Sequence, residues 1–355
     1  VRQLDNLLVL ALACVQCAAS PAAEYRASSY VFGTLAQITV FGDDPTALQR
    51  AAAGVFREFD RMHRDLHAWQ PGELMALNEA IARGEKDIAT TAEIAALIAN
   101  ARRFSERSGD LFNPAIGKLV ALWSFQRDRP GGPVPEPSEI ARLARARPRM
   151  EDLTVLGNRV TSSNPEVRID FGGYAKGYAL DRAADILRDA GTRNALVNVG
   201  GNILALGRRG DTPWRVGLED PRGPAGEAHL LGTIELADGE AIGTSGDYRR
   251  YYVVDGKRYA HIIDPRSGYP ATGVRSVTVV VSPRPGAGAL SDAASKPLFI
   301  AGASGWREAA EKLGITQALL VDDEGRLHVT PELAQRLQGR DVAAQRRMAP
   351  IAGGG

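Results

Sequence analysis

Hydrophobic and polar positions alternate along residues 27–42, "ASSYVFGTLAQITVFG", which predicts a pair of strands opening the fold. Asp44-Pro45 then marks a helix start, with Asp as N-cap and Pro at the first helical position. Leu48, Ala52, Val55, Phe59, Met62 and Leu66 keep to one face of it. A second helix is predicted from Thr90-Thr91 to Gly109, with Ile94, Leu97, Ile98, Ala101 and Phe104 as its apolar stripe. Residues 127–139, "RDRPGGPVPEPSE", read as a surface loop.

Further on, residues 167–191 read as a strand, a glycine turn and a helix closed by Gly191. "NALVNVGGNILALG" gives two strands around Gly200-Gly201. "YYVVDGKRYAHII" is a hairpin with Asp255-Gly256 as a type I′ turn. "VRSVTVVVS" is a buried strand, "SGWREAAEKLG" a short helix, and "TQALLVDDEGRLHV" another hairpin. Strands and helices interleave without regular βαβ spacing. That predicts a single α+β domain with a mixed, mostly antiparallel sheet. No repeat of fixed period is visible.

Composition narrows the class only a little. The chain has 355 residues, 44% of them hydrophobic, enough for one large domain or two small ones. Its 43 basic and 42 acidic side chains nearly cancel, so no nucleic-acid partner is expected. Leu7 to Ser20, "LLVLALACVQCAAS", is apolar but too short to span a bilayer comfortably. It reads as the core of a secretory signal cut among Ala18 to Ala23, with a buried N-terminal helix as the alternative. Residues 1–23 are therefore set apart from a domain over 24–335 and a tail over 336–355. "ALAC" ending at Cys14 fits a lipoprotein box with a lipid anchor on that cysteine. Both cysteines, Cys14 and Cys17, lie in this run, so a chain cut after Ala19 holds none and needs no disulfide. The expectation is an exported protein, periplasmic or a lipoprotein of the inner membrane facing the periplasm.

Four polar clusters carry candidate chemistry. In "DFGGYAKGYALD", Gly172 and Gly173 permit close approach of a ligand, the following helix offers free N–H groups, and Lys176 adds a charge. That suits a phosphate, though neither GxxxxGK[ST] nor GxGxxG is present, and a plain strand-to-helix turn reads as well. Thr244, Ser245, Gly246 and Asp247 read as a tight turn before a strand, either binding a ligand or satisfying its own backbone. In "AHIIDPRSGYPATG", His261 suits a base that Asp264 orients, or Asp264 binds charge, on a loop stiffened by Pro265 and Pro270; a purely structural loop is the other reading. In "ALSDAASKPLFIAG", Asp292 is expected just before a short helical stretch, facing a helix N-terminus or a hard cation. Lys296, one turn on, reads as its local ion-pair partner. His63 and His67 are spaced for a metal, but no HExxH surrounds them and they read as surface or half-buried histidines.

Taken in order, these segments resemble the ApbE family of FAD:protein FMN transferases from about Tyr30 to Pro331. The resemblance is carried by "FGTLAQITV", "LHAWQPGELMALN", "SGDLFNPAIGKLVALWSF", "IDFGGYAKGYALDRAADIL", "ALVNVGGNILALG", "TSGDYRRYY" and "HIIDPRSGYP". It implies an α+β fold with a flavin cleft. The implied reaction is Mg²⁺-assisted cleavage of the FAD pyrophosphate, transfer of FMN to a Thr or Ser hydroxyl of an acceptor flavoprotein, and release of AMP. By analogy the acceptor is a membrane redox subunit. Carried over by position, Phe32, Gly33, Trp69, Asp110, Leu111 and Phe112 would line the FAD site. Asp170, Lys176 and Ile262 would contact the cofactor. Thr244, Ser245, Asp247 and Asp264 would frame the pocket, and His261 would take the acceptor's proton. Gly173 and Asp292 would hold Mg²⁺.

The sequence departs from the family pattern in three places. Phe32 stands for Met, Asn113 for Asp, and Lys296 for a metal-binding Thr. A protonated Lys cannot ligate Mg²⁺. Three outcomes stay open: Lys296 places an ammonium where the metal would be; Ser295 joins Gly173, Asp292 and the phosphates around a metal while Lys296 touches a phosphate; or the chain binds FAD without catalysis. Hydrolysis of FAD to FMN and AMP is the alternative activity.

Overall fold

The first hairpin sets the frame. In this computed structural model, which describes residues 23–223 and 229–339, β1 (Ala23–Val31) and β2 (Thr34–Gly42) pair in register from Ala23↔Gly42 to Val31↔Thr34. The apolar leader with Cys14 and Cys17, and the tail from residue 340, lie outside the described residues. Packing continues a little past the expected boundary at 335: Leu337 is buried and Gln338 exchanges backbone hydrogen bonds with Thr233.

Helix α1 (Pro45–Asp65) starts as its sequence dictates, the Asp44 carboxylate accepting from Thr46 N–H at 2.9 Å and Ala47 N–H at 3.1 Å. Next come α2 (Glu73–Ala82), β3 (Ile88–Ala89) and α3 (Ala92–Arg107), the last capped by the Thr91 hydroxyl. Then follow α4 (Gly117–Leu122), α5 (Pro137–Ala146), β4 (Leu153–Leu156), β5 (Arg159–Ser162) and α6 (Ala175–Asp189). The strands β6 (Asn194–Val199), β7 (Asn202–Leu206), β8 (Trp214–Glu219), β9 (Leu230–Leu236), β10 (Ala241–Gly246), β11 (Tyr251–Val254), β12 (Lys257–Ala260) and β13 (Val274–Val281) precede the long helix α7 (Ala287–Leu313). The described chain closes with β14 (Gln317–Asp322), β15 (Leu327–Val329) and α8 (Pro331–Arg336).

Eight of these strands form one sheet in the order β1-β2-β6-β7-β10-β13-β14-β15. That is chain order, and every neighbouring pair is antiparallel. The α+β expectation holds. Central strands read as unbroken apolar runs because both faces are covered. Leu204, Leu206, Val279 and Leu320 point into a core shared with α1, α6 and α7. Their neighbours Ile203, Ala205, Val280 and Leu319 point the other way, against Trp214, Ile234 and Leu333. A third, smaller core of Trp123, Phe125, Ile140, Tyr252 and Ile263 lies under the β11–β12 hairpin.

Three local expectations are corrected. The Pro-rich stretch is not loop throughout, because Pro137 sits at the first position of α5. Asp292 does not precede a short helix. It lies inside α7, which begins at Ala287, contains Pro297 and continues past a break at Gly302 (φ 70°). Burial of almost the whole first half of α7 outweighs the unfavourable Pro and Gly. Thr244 to Gly246 form no turn; they end strand β10, and Asp247 follows.

Candidate active site

The first wall of the site is built around Asp170. Asn78, buried under it, donates to the Ile169 carbonyl at 2.8 Å and accepts from the Ile169 N–H at 2.7 Å. With the Asp170 N–H on the Pro114 carbonyl at 2.8 Å, the chain entering the glycine turn is clamped on both sides. The Asp170 carboxylate accepts from Gly172 N–H at 2.8 Å and from Trp69 Nε1–H at 3.2 Å. The Arg168 guanidinium lies 4.3 Å above the Trp69 ring. Just past the turn α6 begins, and its own N-cap residue, Tyr174, supplies no side-chain bond. Lys176 folds back and donates to the Gly172 carbonyl at 3.0 Å. The turn thus presents the positive end of a helix and an ammonium, the chemistry of an anion site.

Helix α7 crosses α6 at this point. The crossing is close because glycine stands on both helices: a Cβ on Gly177 would lie 2.2 Å from the Gly288 carbonyl oxygen and 2.6 Å from Asp292 Cβ. It delivers Asp292 to the N-terminus of α6, where Gly177 N–H donates to its Oδ2 at 2.9 Å. Lys296 bonds the other carboxylate oxygen and donates to the Asp292 carbonyl at 2.8 Å. The Ser295 hydroxyl donates to the same carbonyl at 2.8 Å and meets the Ser245 hydroxyl at 2.7 Å. The Asp292 side chain is fully buried and that of Lys296 is 14% exposed. The local ion pair that the spacing suggests is present, and it is buried. Burial favours a neutral Asp292, but Lys176 and Lys296 outweigh it and hold the carboxyl below its usual range. Burial pulls Lys296 down to about 8, against the attraction of Asp292.

Gly173, Asp292 and Ser295, the expected metal set, are brought together here, but Lys296 lies among them: a Cβ on Gly173 would sit 3.4 Å from Lys296 Cε. Mg²⁺ demands near-octahedral oxygen ligation. Both Asp292 carboxylate oxygens and its carbonyl are already engaged by donors, and an ammonium offers no lone pair. The residues present do not fit Mg²⁺. Among the described residues no group of three His, Cys, Asp or Glu side chains is placed to hold a metal ion. His63 and His67 pack edge to face with centroids 5.2 Å apart, and His67 Nδ1 accepts from the Trp69 and Gln70 N–H groups, so His67 shapes the turn that carries Trp69.

His261 is held as a neutral imidazole. Its Nδ1 lies 3.1 Å from the Arg250 carbonyl, which only accepts, so the proton sits on Nδ1 and the lone pair on Nε2. Among the described residues Nε2 has no hydrogen-bond partner. Burial first, then the positive charges of Lys176 and Arg250, push its pKa down to about 3. Asp264 does not orient His261. It binds charge, holding the Arg266 guanidinium at 2.8 and 3.0 Å. The loop is rigid: Gly268 N–H donates to the Asp264 carbonyl, Ala271 N–H to the Ile262 carbonyl, and Trp123 Nε1–H to the Gly268 carbonyl at 2.7 Å. Ile262 itself is buried.

The remaining expected residues divide. Phe32 and Gly33 form the β1–β2 turn, both at positive φ (55° and 68°). The Phe32 ring meets Phe59 and His63 edge-on at 5.8 Å. Asp110 also has positive φ and lies 3.4 Å from Arg149; burial raises its pKa against that charge. Leu111 is half-buried. Phe112 packs against Phe104 and Tyr174 in the core, so its side chain backs the wall and does not face a ligand. Thr244 bonds Thr278 across two strands at 3.1 Å. Asp247 lies 3.8 Å from both Arg258 and Arg275, its pKa raised by burial. Sequence reasoning missed Arg168 and the Arg250 carbonyl. Neither has a local signal, because each acts on a partner far away in the chain.

These pieces define a class: an α+β protein in which a glycine turn, a helix N-terminus and two lysines lie near a neutral histidine. The sequence model of the ApbE family matches residues 32–320. A protein of Rhodobacter capsulatus named FAD:protein FMN transferase is 41% identical over 319 residues, 90% of this chain and 59% of that protein. One of the same name from Klebsiella pneumoniae is 34% identical over 72% of this chain and 77% of its own length. The crystal structure of the ApbE protein of Thermotoga maritima superposes with a TM-score of 0.79 at 30% identity, covering 89% of this chain and all of the other. The chain belongs to the ApbE family. It spans little more than half of the R. capsulatus relative.

Proposed function

We propose that this chain is an FAD:protein FMN transferase, moving FMN from FAD to a Thr or Ser hydroxyl of an acceptor flavoprotein and releasing AMP. Family membership supports the reaction class, and His261 carries the reading. A flavin-binding protein without chemistry needs no histidine held neutral by a carbonyl on one nitrogen and left open on the other.

The step balances simply. The acceptor oxygen bonds to the FMN-side phosphorus as the bond from that phosphorus to the bridging oxygen breaks. AMP leaves with the bridging oxygen, and the hydroxyl proton passes to His261 Nε2. Lys176, the Gly172–Gly173 turn and the positive end of α6 stabilise the charge that builds on phosphate oxygens. Trp69, braced by Arg168 and Asp170, offers a face to an aromatic ring of the cofactor. No step is assigned to Mg²⁺. The apolar leader and the ApbE resemblance support export and a membrane redox subunit as acceptor; no helix among the described residues is long and apolar enough to cross a membrane.

The test is AMP release from FAD by purified protein, with and without an acceptor domain carrying a target Thr. AMP together with covalent FMN on the acceptor supports transfer. AMP with free FMN alone makes the protein a pyrophosphatase. Bound FAD with no AMP overturns the enzyme reading.

A further inference from the structure

We infer that Lys296 is a built-in cation that takes the place of a divalent metal at Asp292, so that this protein handles its phosphate substrate without binding Mg²⁺ there. The inference rests on the transferase reading for its substrate, but its central claim concerns metal binding and stands apart from turnover.

The argument is one of donors and charge. Two carboxylates are bonded at the crossing of α6 and α7: Asp181 is taken up by the Gly288 and Ala289 N–H groups, and Asp292, whose side chain is fully buried, faces Lys296. One oxygen is closed by the Gly177 N–H at 2.9 Å and the other by the Lys296 ammonium. The Asp292 carbonyl takes two further donors, Lys296 Nζ and Ser295 Oγ, each at 2.8 Å. A cation entering here would have to expel the ammonium from its carboxylate and find hard oxygen ligands where donors now point. It would also meet Lys176, whose charge already acts on Asp292. Breaking a buried ion pair leaves an uncompensated charge, a cost of several kcal/mol that metal binding would have to exceed. Lys296 also lies against Gly173, so its side chain stands at the glycine turn to which the transferase reading assigns the substrate phosphates.

A tethered ammonium and a divalent ion differ in ways that can be measured. Mn²⁺, titrated into the full protein and followed by electron paramagnetic resonance, reports occupancy whether or not the protein turns over. The wild type is expected to bind no stoichiometric Mn²⁺, alone or with ADP as the pyrophosphate probe. EDTA is expected to change AMP release from FAD by less than about twofold, where loss of a working metal costs well over tenfold. Lys296→Thr is expected to gain one Mn²⁺ per chain in the presence of ADP, with AMP release becoming EDTA-sensitive. Stoichiometric Mn²⁺ on the wild type, alone or with ADP, overturns the inference. The wild-type arms need no variant, so a Lys296→Thr protein that fails to fold leaves the decision with them. If FAD gives no AMP under any condition, the transferase reading fails, and the Mn²⁺ titration still decides the role of Lys296.

Discussion

Asp181 and Asp292 cap each other's helices. Asp292, on α7, accepts from the Gly177 N–H in the first turn of α6. Asp181, on α6, accepts from the Gly288 and Ala289 N–H groups in the first turn of α7, each at 2.8 Å. Neither helix has a side-chain cap from its own N-cap residue. The orphan donors of each are met by the other.

Removing one half of this exchange is expected to loosen both helices. Asp181→Ala leaves two buried N–H groups open and is expected to cost about 1–2 kcal/mol. Urea unfolding checks it. An unchanged midpoint would mean that water replaces the cap at no loss.

Gly177→Ala tests the crossing itself. The added methyl would meet the Gly288 carbonyl and Asp292. It is expected to push α7 away at a cost of about 1–3 kcal/mol or more, and to lower AMP release because Asp292 and Lys296 move with α7. Full stability with full activity would show that the helices separate freely.

His261 should stay neutral across the working pH range. Its folded pKa is depressed, so protonation below the ordinary value of 6.5 favours the unfolded chain, and this contribution to stability is present above 6.5 and fades as pH falls toward about 3. NMR of the imidazole in the free protein is expected to show no titration between about pH 5 and 8. A midpoint at or above 6.5 would show that burial and the neighbouring positive charges do not depress it. His261→Ala is expected to lower transfer by about 10²–10⁴-fold while FAD still binds; an undiminished rate would assign the proton elsewhere.

Asp322, paired with Val274 at the end of β14, provides an acid-stability test. Burial raises its pKa, but hydrogen bonds from His328 and Arg326 prevail and hold it down to about 2. Its side chain is 2% exposed. The stabilisation is present above the ordinary value of 3.8 and is lost as pH falls through about 2. Asp322→Asn is expected to cost about 2 kcal/mol at pH 7 and less at pH 3, read from urea midpoints at both values. An equal loss at both would trace the effect to packing.

The sequence exposed most of what is local. The β1–β2 hairpin, the Asp44 cap of α1, the glycine turn before α6 and the Asp255-Gly256 turn all follow from residues a few positions apart. Helix α7 was hidden because Gly288, Pro297 and Gly302 look like breakers, and only burial between α6 and the sheet overrides them. The site was half legible. His261 and Lys176 stand out by residue type and setting. Asp264 looked like a partner for His261 by spacing, yet it faces Arg266, and the group that fixes the imidazole is a main-chain carbonyl on Arg250. Nothing in Asp181 marks it as a cap for a helix more than a hundred residues away. Such pairings arise only when the sheet brings distant segments side by side.

The chain-order sheet has a further consequence. Each piece of chemistry sits in an interruption between strands that are neighbours in space. Trp69, Asp170 and Lys176 lie between β2 and β6, His261 between β10 and β13, and Asp292 with Lys296 between β13 and β14. The strands act as a chassis on which these inserts are mounted like separate cartridges. Residues 247–273 form one such insert, carrying His261 and the Arg250 carbonyl that holds it, between the paired strands β10 and β13.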